Sequence, residues 1–225
     1  MLSYAIVIKD HPVSEKAFER LQSSTELKIN RFDAIVPEEV EEKLALFGVE
    51  WDYPWTGQEV SITAGLRKSA YPTKNKKARI AAALSHYTLW HMTLVHNSPV
   101  LILEHDAIFD RPINFDPDSY RYDVIGINNP IGATRRSAQF HSTVQLSEGR
   151  IVPVPWIDDK MVPQGLAGNS AYIIKPRGAK ALIKAVDDYG LWPNDAIMCK
   201  QLIPNMGVTK EYYTRVQGTR STTTL

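Results

Sequence analysis

The chain is nearly free of cysteine: Cys199 stands alone among 225 residues. One thiol excludes an internal disulfide framework and fits folding in a reducing compartment. Long apolar runs are missing too, so no stretch offers the roughly 18 or more apolar residues that a membrane-spanning helix needs. Met1 to Asp10 lacks the basic start and cleavage pattern of a secretory leader. The expectation from these absences is a soluble, cytoplasmic protein. A charge excess is also lacking, with 26 Lys and Arg against 25 Asp and Glu for a formal charge of +1. That excludes a broad basic surface and leaves only the local clusters Lys74-Asn75-Lys76-Lys77-Ala78-Arg79 and Arg135-Arg136, runs that are ordinarily solvated faces. No internal repeat is present. What remains is 44% hydrophobic residues with ordinary charge content, enough for one domain with a substantial core.

The densest information lies in Val100-Leu101-Ile102-Leu103-Glu104-His105-Asp106. A short, unbroken apolar run reads as a strand buried on both faces, and ligands of open α/β sheets bind at the carboxyl ends of such strands. Side chains alternate along a strand, so Glu104 and Asp106 should face one side and His105 the other. Two carboxylates on one side suit a hard divalent cation; two acids solvated in a loop are the plain alternative. Before the strand, Ile80, Ala83, Leu84, Tyr87, Trp90, Leu94 and Val95 recur at helical spacing. This predicts an amphipathic helix from Lys76 to about Val95, capped by Asn75 and ended by Asn97-Ser98-Pro99.

Elsewhere the pattern predicts a strand at Ala5–Ile8, a helix from an N-cap at Ser14 through about Ser23, and a strand near Ile29–Ile35. That order suggests a right-handed crossover in a nucleotide-binding half. A short helix over Glu38–Phe47, an aromatic loop over Trp51–Gly57 and a strand over Asp123–Ile127 follow. Residues 129–167 are turn-rich, with at most a hairpin around Ser142–Val154, and the last dozen residues read as a frayed polar tail.

The string Ala83-Leu84-Ser85-His86-Tyr87-Thr88-Leu89-Trp90, followed by Pro99 to Phe109, resembles the core of the family 25 glycosyltransferases, the lipopolysaccharide-type sugar transferases. In these a Leu-Ser-His segment on a helix leads into a strand ending Leu-Glu-Asp-Asp-Ala. The match extends, in order, to Tyr4–Lys9 and Phe32–Ile35, to Gly168-Asn169-Ser170-Ala171-Tyr172 through Leu182, and to Pro193-Asn194-Asp195. Two departures stand out: His11-Pro12-Val13-Ser14-Glu15 replaces the family's arginine-rich sequence, and His105 replaces the middle Asp.

The resemblance implies a GT-A-like, Rossmann-type α/β fold with a mixed central sheet flanked by helices. It implies one domain over 1–225, divided into a nucleotide-sugar-binding half (1–128), an acceptor-side half (129–215) and a polar tail (216–225). The implied activity is transfer of a sugar from a nucleotide-sugar donor to a hydroxyl of a glycan or other acceptor, assisted by a divalent cation (Mn²⁺ or Mg²⁺). Asp106 is the candidate metal ligand, since charge growing on the leaving diphosphate must be neutralised. Glu104 is a candidate for holding the donor sugar's hydroxyls, for binding the metal indirectly, or for catalysis. Lys9 and Arg79 are candidate phosphate partners, and Ser85 and His86 candidate donor-site residues; a lone helix histidine also serves simply in packing. Asp195 is the candidate general base for the acceptor, with an N-cap role for a helix over Ala196–Leu202 equally open to it. Trp51, Tyr53 and Trp55 offer stacking faces for a sugar or a base. Three other readings stay open: glycosylation of a modified nucleic-acid base, a metal-dependent hydrolase, and an inactive nucleotide- or glycan-binding module.

Overall fold

The computed structural model of the protein describes residues 1–132 and 136–218. In chain order its elements are β1 (Leu2–Val7), α1 (Pro12–Ser23), β2 (Asn30–Asp33), α2 (Val40–Phe47), β3 (Gln58–Ser61), β4 (Leu66–Ser69), α3 (Lys76–His96), β5 (Val100–Glu104), β6 (Ala107–Phe109) and β7 (Val124–Gly126). They continue with α4 (Ser137–Leu146), β8 (Ile151–Pro153), β9 (Ala171–Ile174), α5 (Pro176–Tyr189), α6 (Asn194–Ile197), β10 (Met206–Thr209) and β11 (Thr214–Val216).

A seven-stranded sheet in the order β2-β1-β5-β9-β7-β10-β8 forms the centre. β1 runs parallel to β2 and β5, β9 is antiparallel to both β5 and β7, and β10 is parallel to β7 and antiparallel to β8. The expected α/β architecture, a mixed central sheet flanked by helices, is therefore present. Alternation along β5 and β9 divides the core in two. Val100, Ile102, Tyr172 and Ile174 pack with α3 and α5, whereas Leu101, Leu103, Ala171 and Ile173 pack with Phe18 and Leu21 of α1. Val100 to Leu103 are fully buried, which explains why the strand shows no polar alternation.

The two elements with the strongest sequence signals lie close to where the pattern puts them. Asn75 caps α3 by accepting the Ala78 N–H at 3.0 Å, and Asn97 ends it in a left-handed conformation (φ 47°), which asparagine tolerates. Other expectations need correction. The N-cap of α1 is His11, whose Nδ1 accepts the Ser14 N–H at 3.3 Å; Ser14 lies inside the helix and its hydroxyl accepts the Ile8 N–H at 2.9 Å. In place of a hairpin around Ser142–Val154 there is the helix α4 followed by β8, which pairs with distant β10. The tail does not begin at 216, because Val216 pairs with Ala107 and the Gln217 side chain donates to the carbonyls of Ala17 and Ala107; residues 219–225 lie outside the described residues. Among the described residues no helix is long and apolar enough to cross a membrane.

Candidate functional site

The parallel strands β1, β2 and β5 deliver their carboxyl ends to one edge of the sheet, and the antiparallel β9 delivers its amino end there. Glu104 is the last residue of β5. Its backbone N–H donates to the Ser170 carbonyl at 2.8 Å, which continues the β5–β9 ladder one step past the strand end. The Glu104 carboxylate receives the Ser170 hydroxyl at 3.4 Å and meets His86 Nε2 at 3.4 Å.

Behind Glu104 runs a buried chain of hydrogen bonds. Trp90 Nε1–H donates to the Tyr172 hydroxyl at 2.9 Å, and that hydroxyl lies 2.9 Å from His86 Nδ1. Trp90, Tyr172 and His86 are at most 1% exposed, so each polar atom needs its partner. One arrangement gives each a partner: Tyr172 donates to His86 Nδ1, and His86 Nε2–H donates to Glu104. Residues 79, 83, 86 and 90 share one face of α3 by helical spacing, and this face turns His86 and Trp90 towards the sheet. His86 thus positions Glu104 from behind. Ser85, one residue away, accepts the Ile35 N–H at 2.9 Å and donates to the Ala81 carbonyl at 2.8 Å while fully buried. It latches α3 to the chain after β2 and is spent in that role.

The two acids of the strand end differ in their protonation. Burial works against the Glu104 charge, but the His86 hydrogen bond, the nearby His86 and His105 rings and the Ser170 hydroxyl outweigh it and hold the carboxyl below its ordinary range. Burial, joined by the negative charge of Glu104, instead pushes Asp106 up to about 7. One Asp106 oxygen, Oδ1, is buried without a hydrogen-bond partner among the described residues. His105 turns towards the β1 side, where burial lowers its pKa against the pull of Glu104, with His11 and the Ile6 backbone also acting on it.

Asp195 lies close enough to Glu104 to feel its charge. The helix α6 begins at Asn194 with Pro193 as its N-cap and no side-chain cap bond. The N-cap role for Asp195 is therefore corrected: the residue sits inside the first turn, and the helix ends at Ile197. Its carboxyl is raised by burial, moderated by the Arg79 charge and the Tyr71 hydroxyl and raised further by Glu104. Asp195, Tyr53, Tyr71, Phe140, Asp158 and Gln164 are among the residues lining a pocket of about 280 Å³. Gly165 lies against the α6 backbone, where a Cβ would come within 2.4 Å of the Asp195 carbonyl oxygen. Only glycine lets that loop close over the helix.

The structure thus gathers Glu104, His86 and Ser170 in one place and Asp195, Tyr71 and Arg79 in another that feels the Glu104 charge. Arg79 donates to Thr73 Oγ1 at 2.7 Å and lies 5.1 Å from the Tyr71 ring. Lys9 is exposed just past the end of β1. Of the aromatic loop, Tyr53 reaches the pocket, whereas Trp51 and Trp55 stack on each other at 4.9 Å. Sequence reasoning did not single out Tyr71, Tyr172 or the site role of Ser170.

The model of glycosyltransferase family 25 (LPS biosynthesis protein) matches residues 4–119, just over half of the sequence. The chain belongs to this family. It is accordingly a glycosyltransferase that uses a nucleotide-sugar donor. Family 25 membership places α3, β5 and the Glu104–Asp106 strand end inside the matched region. A search of curated proteins found no match. Among solved structures, the galactosyltransferase LgtC in complex with donor and acceptor sugar analogues is similar at 10% identity over 92% of this chain and 73% of that one, with a TM-score of 0.44. An active-site mutant of LgtC is similar at 10% identity over 92% and 72%, with a TM-score of 0.42.

Proposed function

We propose that this family 25 enzyme binds its donor at the carboxyl edge of the sheet beside Glu104 and Asp106, and its acceptor in the pocket that Asp195 lines. The observation that carries the reading is the buried Oδ1 of Asp106, without a partner among the described residues, beside the Glu104 carboxylate. A buried carboxylate oxygen without a partner is costly, and a cation is the partner that removes the cost. Among the described residues no group of three His, Cys, Asp or Glu forms a closed metal cage. This donor set fits Mg²⁺ or Mn²⁺, ions commonly held by one or two carboxylates together with substrate phosphates. Asp106 would hold the ion, which when bound supplies positive charge to the leaving diphosphate.

Asp195 serves as general base. The acceptor hydroxyl oxygen attacks the anomeric carbon, its proton passes to the Asp195 carboxylate, and the carbon–oxygen bond to the nucleotide breaks with the electron pair leaving on the diphosphate. Burial raises the Asp195 pKa and makes it a stronger base, and Arg79 with Tyr71 opposes that rise. A direct displacement of this kind inverts the anomeric centre. Residues 1–128 supply most of the donor side and 129–215 most of the acceptor side.

A glycan hydroxyl is the favoured acceptor. The aromatic and amide lining of the pocket suits a sugar face and its hydroxyls, and the family's description connects it to lipopolysaccharide biosynthesis. Nucleic acid is not favoured, because the basic clusters are largely engaged: Lys77 with Glu41, Lys76 over Trp55, Arg79 with Thr73 and Arg136 with Ile157 and Asp158; Arg135 lies outside the described residues. The single thiol, buried at Cys199, supports a cytoplasmic location. The test is a transfer assay over a nucleotide-sugar panel with glycan acceptors, with and without Mn²⁺. Metal-dependent product of inverted configuration is expected. Donor cleavage indifferent to every acceptor would favour a hydrolase instead.

A further inference from the structure

Two asparagines sit within a few residues of the site's edge, and both are buried. Asn128 has a partner at each end of its amide: Oδ1 accepts the Thr214 hydroxyl at 2.9 Å and Nδ2 donates to the Asn129 carbonyl at 3.1 Å. Asn169 is 9% exposed, and among the described residues neither its Oδ1 nor its Nδ2 has a partner. A buried amide with both ends unpaired does nothing for the fold.

Its position is fixed by the backbone around it. The β5–β9 register pairs Leu103 with Ala171, and Glu104 bonds to Ser170 one step on; Asn169 is the next residue, in the turn that leads into β9 and adjoins this strand end. Gly168 has φ +73°, and a Cβ there would come within 2.9 Å of Asn128 Nδ2 and 3.0 Å of the Asn129 carbonyl oxygen. The turn that presents Asn169 is therefore held tightly against the chain after β7.

We infer that Asn169 reads a hydroxyl pair on the donor's transferred sugar; this rests on the placement of the donor beside Glu104 and Asp106. The chemistry of the amide selects the ligand. A metal ion would engage only Oδ1, and a phosphate only Nδ2. Adjacent sugar hydroxyls, each able to donate and accept, satisfy both ends at once. Asn169 is thus a specificity-determining residue, separate from the charge-handling role of Asp106.

The experiment is calorimetric titration of the wild type and of Asn169→Ala, in Mn²⁺, with uridine-, guanosine- and cytidine-based nucleotide-sugars and the same nucleotides without sugar. The expected result is at least tenfold weaker binding of the nucleotide-sugar by Asn169→Ala, binding of the bare nucleotide within twofold of wild type, and an unchanged Tm. Donor analogues lacking one ring hydroxyl should lose affinity for the wild type but not for the variant at the hydroxyl that Asn169 reads. If Asn169→Ala does not fold, Asn169→Ser takes its place with the same expected split. Equal weakening of both ligands, or no weakening, overturns the inference while leaving the donor site standing. If the wild type binds no member of the panel, the donor reading itself falls and this inference falls with it.

Discussion

Lys68 and the pair Asp106 and Asn169 are all buried polar residues, yet the protein treats them in opposite ways. The Lys68 ammonium is completely enclosed and fully partnered: it donates to the Asp52 carbonyl at 2.8 Å and to the carboxylates of Asp52 at 3.2 Å and Glu59 at 2.7 Å, with the Trp192 ring 5.1 Å away. It ties the β3–β4 hairpin to the aromatic loop. Asp106 Oδ1 and both amide atoms of Asn169 have no such partners among the described residues. A polar group buried for the sake of the fold finds its partners within the fold. At this strand end the two residues left without them are available to a ligand, which sets them apart from Lys68.

That contrast can be broken by substitution. The largest effect is expected at Asp195: Asp195→Asn should slow transfer by about 10²–10⁴-fold with donor affinity and Tm unchanged, read by steady-state kinetics and calorimetry. Asp106→Ala should lower turnover by about 10²–10³-fold without loss of stability, since it removes an unpaired oxygen. Wild-type turnover in either variant would sink its assigned role.

Lys68→Met should do the reverse. It leaves the Asp52 carbonyl without its donor and should cost about 1–3 kcal/mol in denaturant unfolding, with little change in kcat among the molecules that stay folded. Tyr172→Phe sharpens the comparison because it touches both sides. Losing the hydroxyl strands Trp90 Nε1–H and His86 Nδ1, at a cost of about 1–3 kcal/mol, and frees His86 to turn from Glu104, so stability and kcat should fall together. A change in stability alone would detach the relay from catalysis.

The smallest effect is on pH dependence. Asp106 titrates near 7 in the folded protein, above its ordinary value of 3.8, so the folded state holds a proton that the unfolded chain has released. This contribution to stability therefore declines as pH rises from about 4 to about 7 and is flat on either side. Asp106→Asn should remove that slope from a Tm–pH profile, and Mn²⁺ should raise the wild-type Tm more at pH 7.5 than at pH 5. A metal shift that persists in Asp106→Asn would place the ion elsewhere.

Legibility in the sequence followed the length and regularity of each element. α3 and β5 were readable because a long amphipathic period runs into four fully buried residues. α4 was not, because only Ser137, Phe140 and Val144 are buried along it, too few to establish a helical period in a polar stretch. β6, β10 and β11 are three or four residues long and exist only through partners distant in sequence. At the site, the apolar run pointed to Glu104 as a strand end, which is where β5 stops. The opposite treatment of His86 and Ser85, one positioning an acid and the other latching a loop, depends on Tyr172 and Ile35, whose approach no local pattern announces. Asp195 was visible as a residue, but its role as a cap failed because α6 starts at Asn194, two residues before the expected Ala196, with Pro193 as its N-cap.

Gln217 fastens the end of the described chain to segments made much earlier in its synthesis. Its backbone N–H is bonded to the Asp106 carbonyl at 2.8 Å, and its side chain to Ala107 and, 200 residues back, to Ala17. On the ribosome every acid of the site would be made well before this clasp arrives. A chain cut short before residues 214–217 would carry every proposed catalytic group but would lose these bonds to the Asp106 turn.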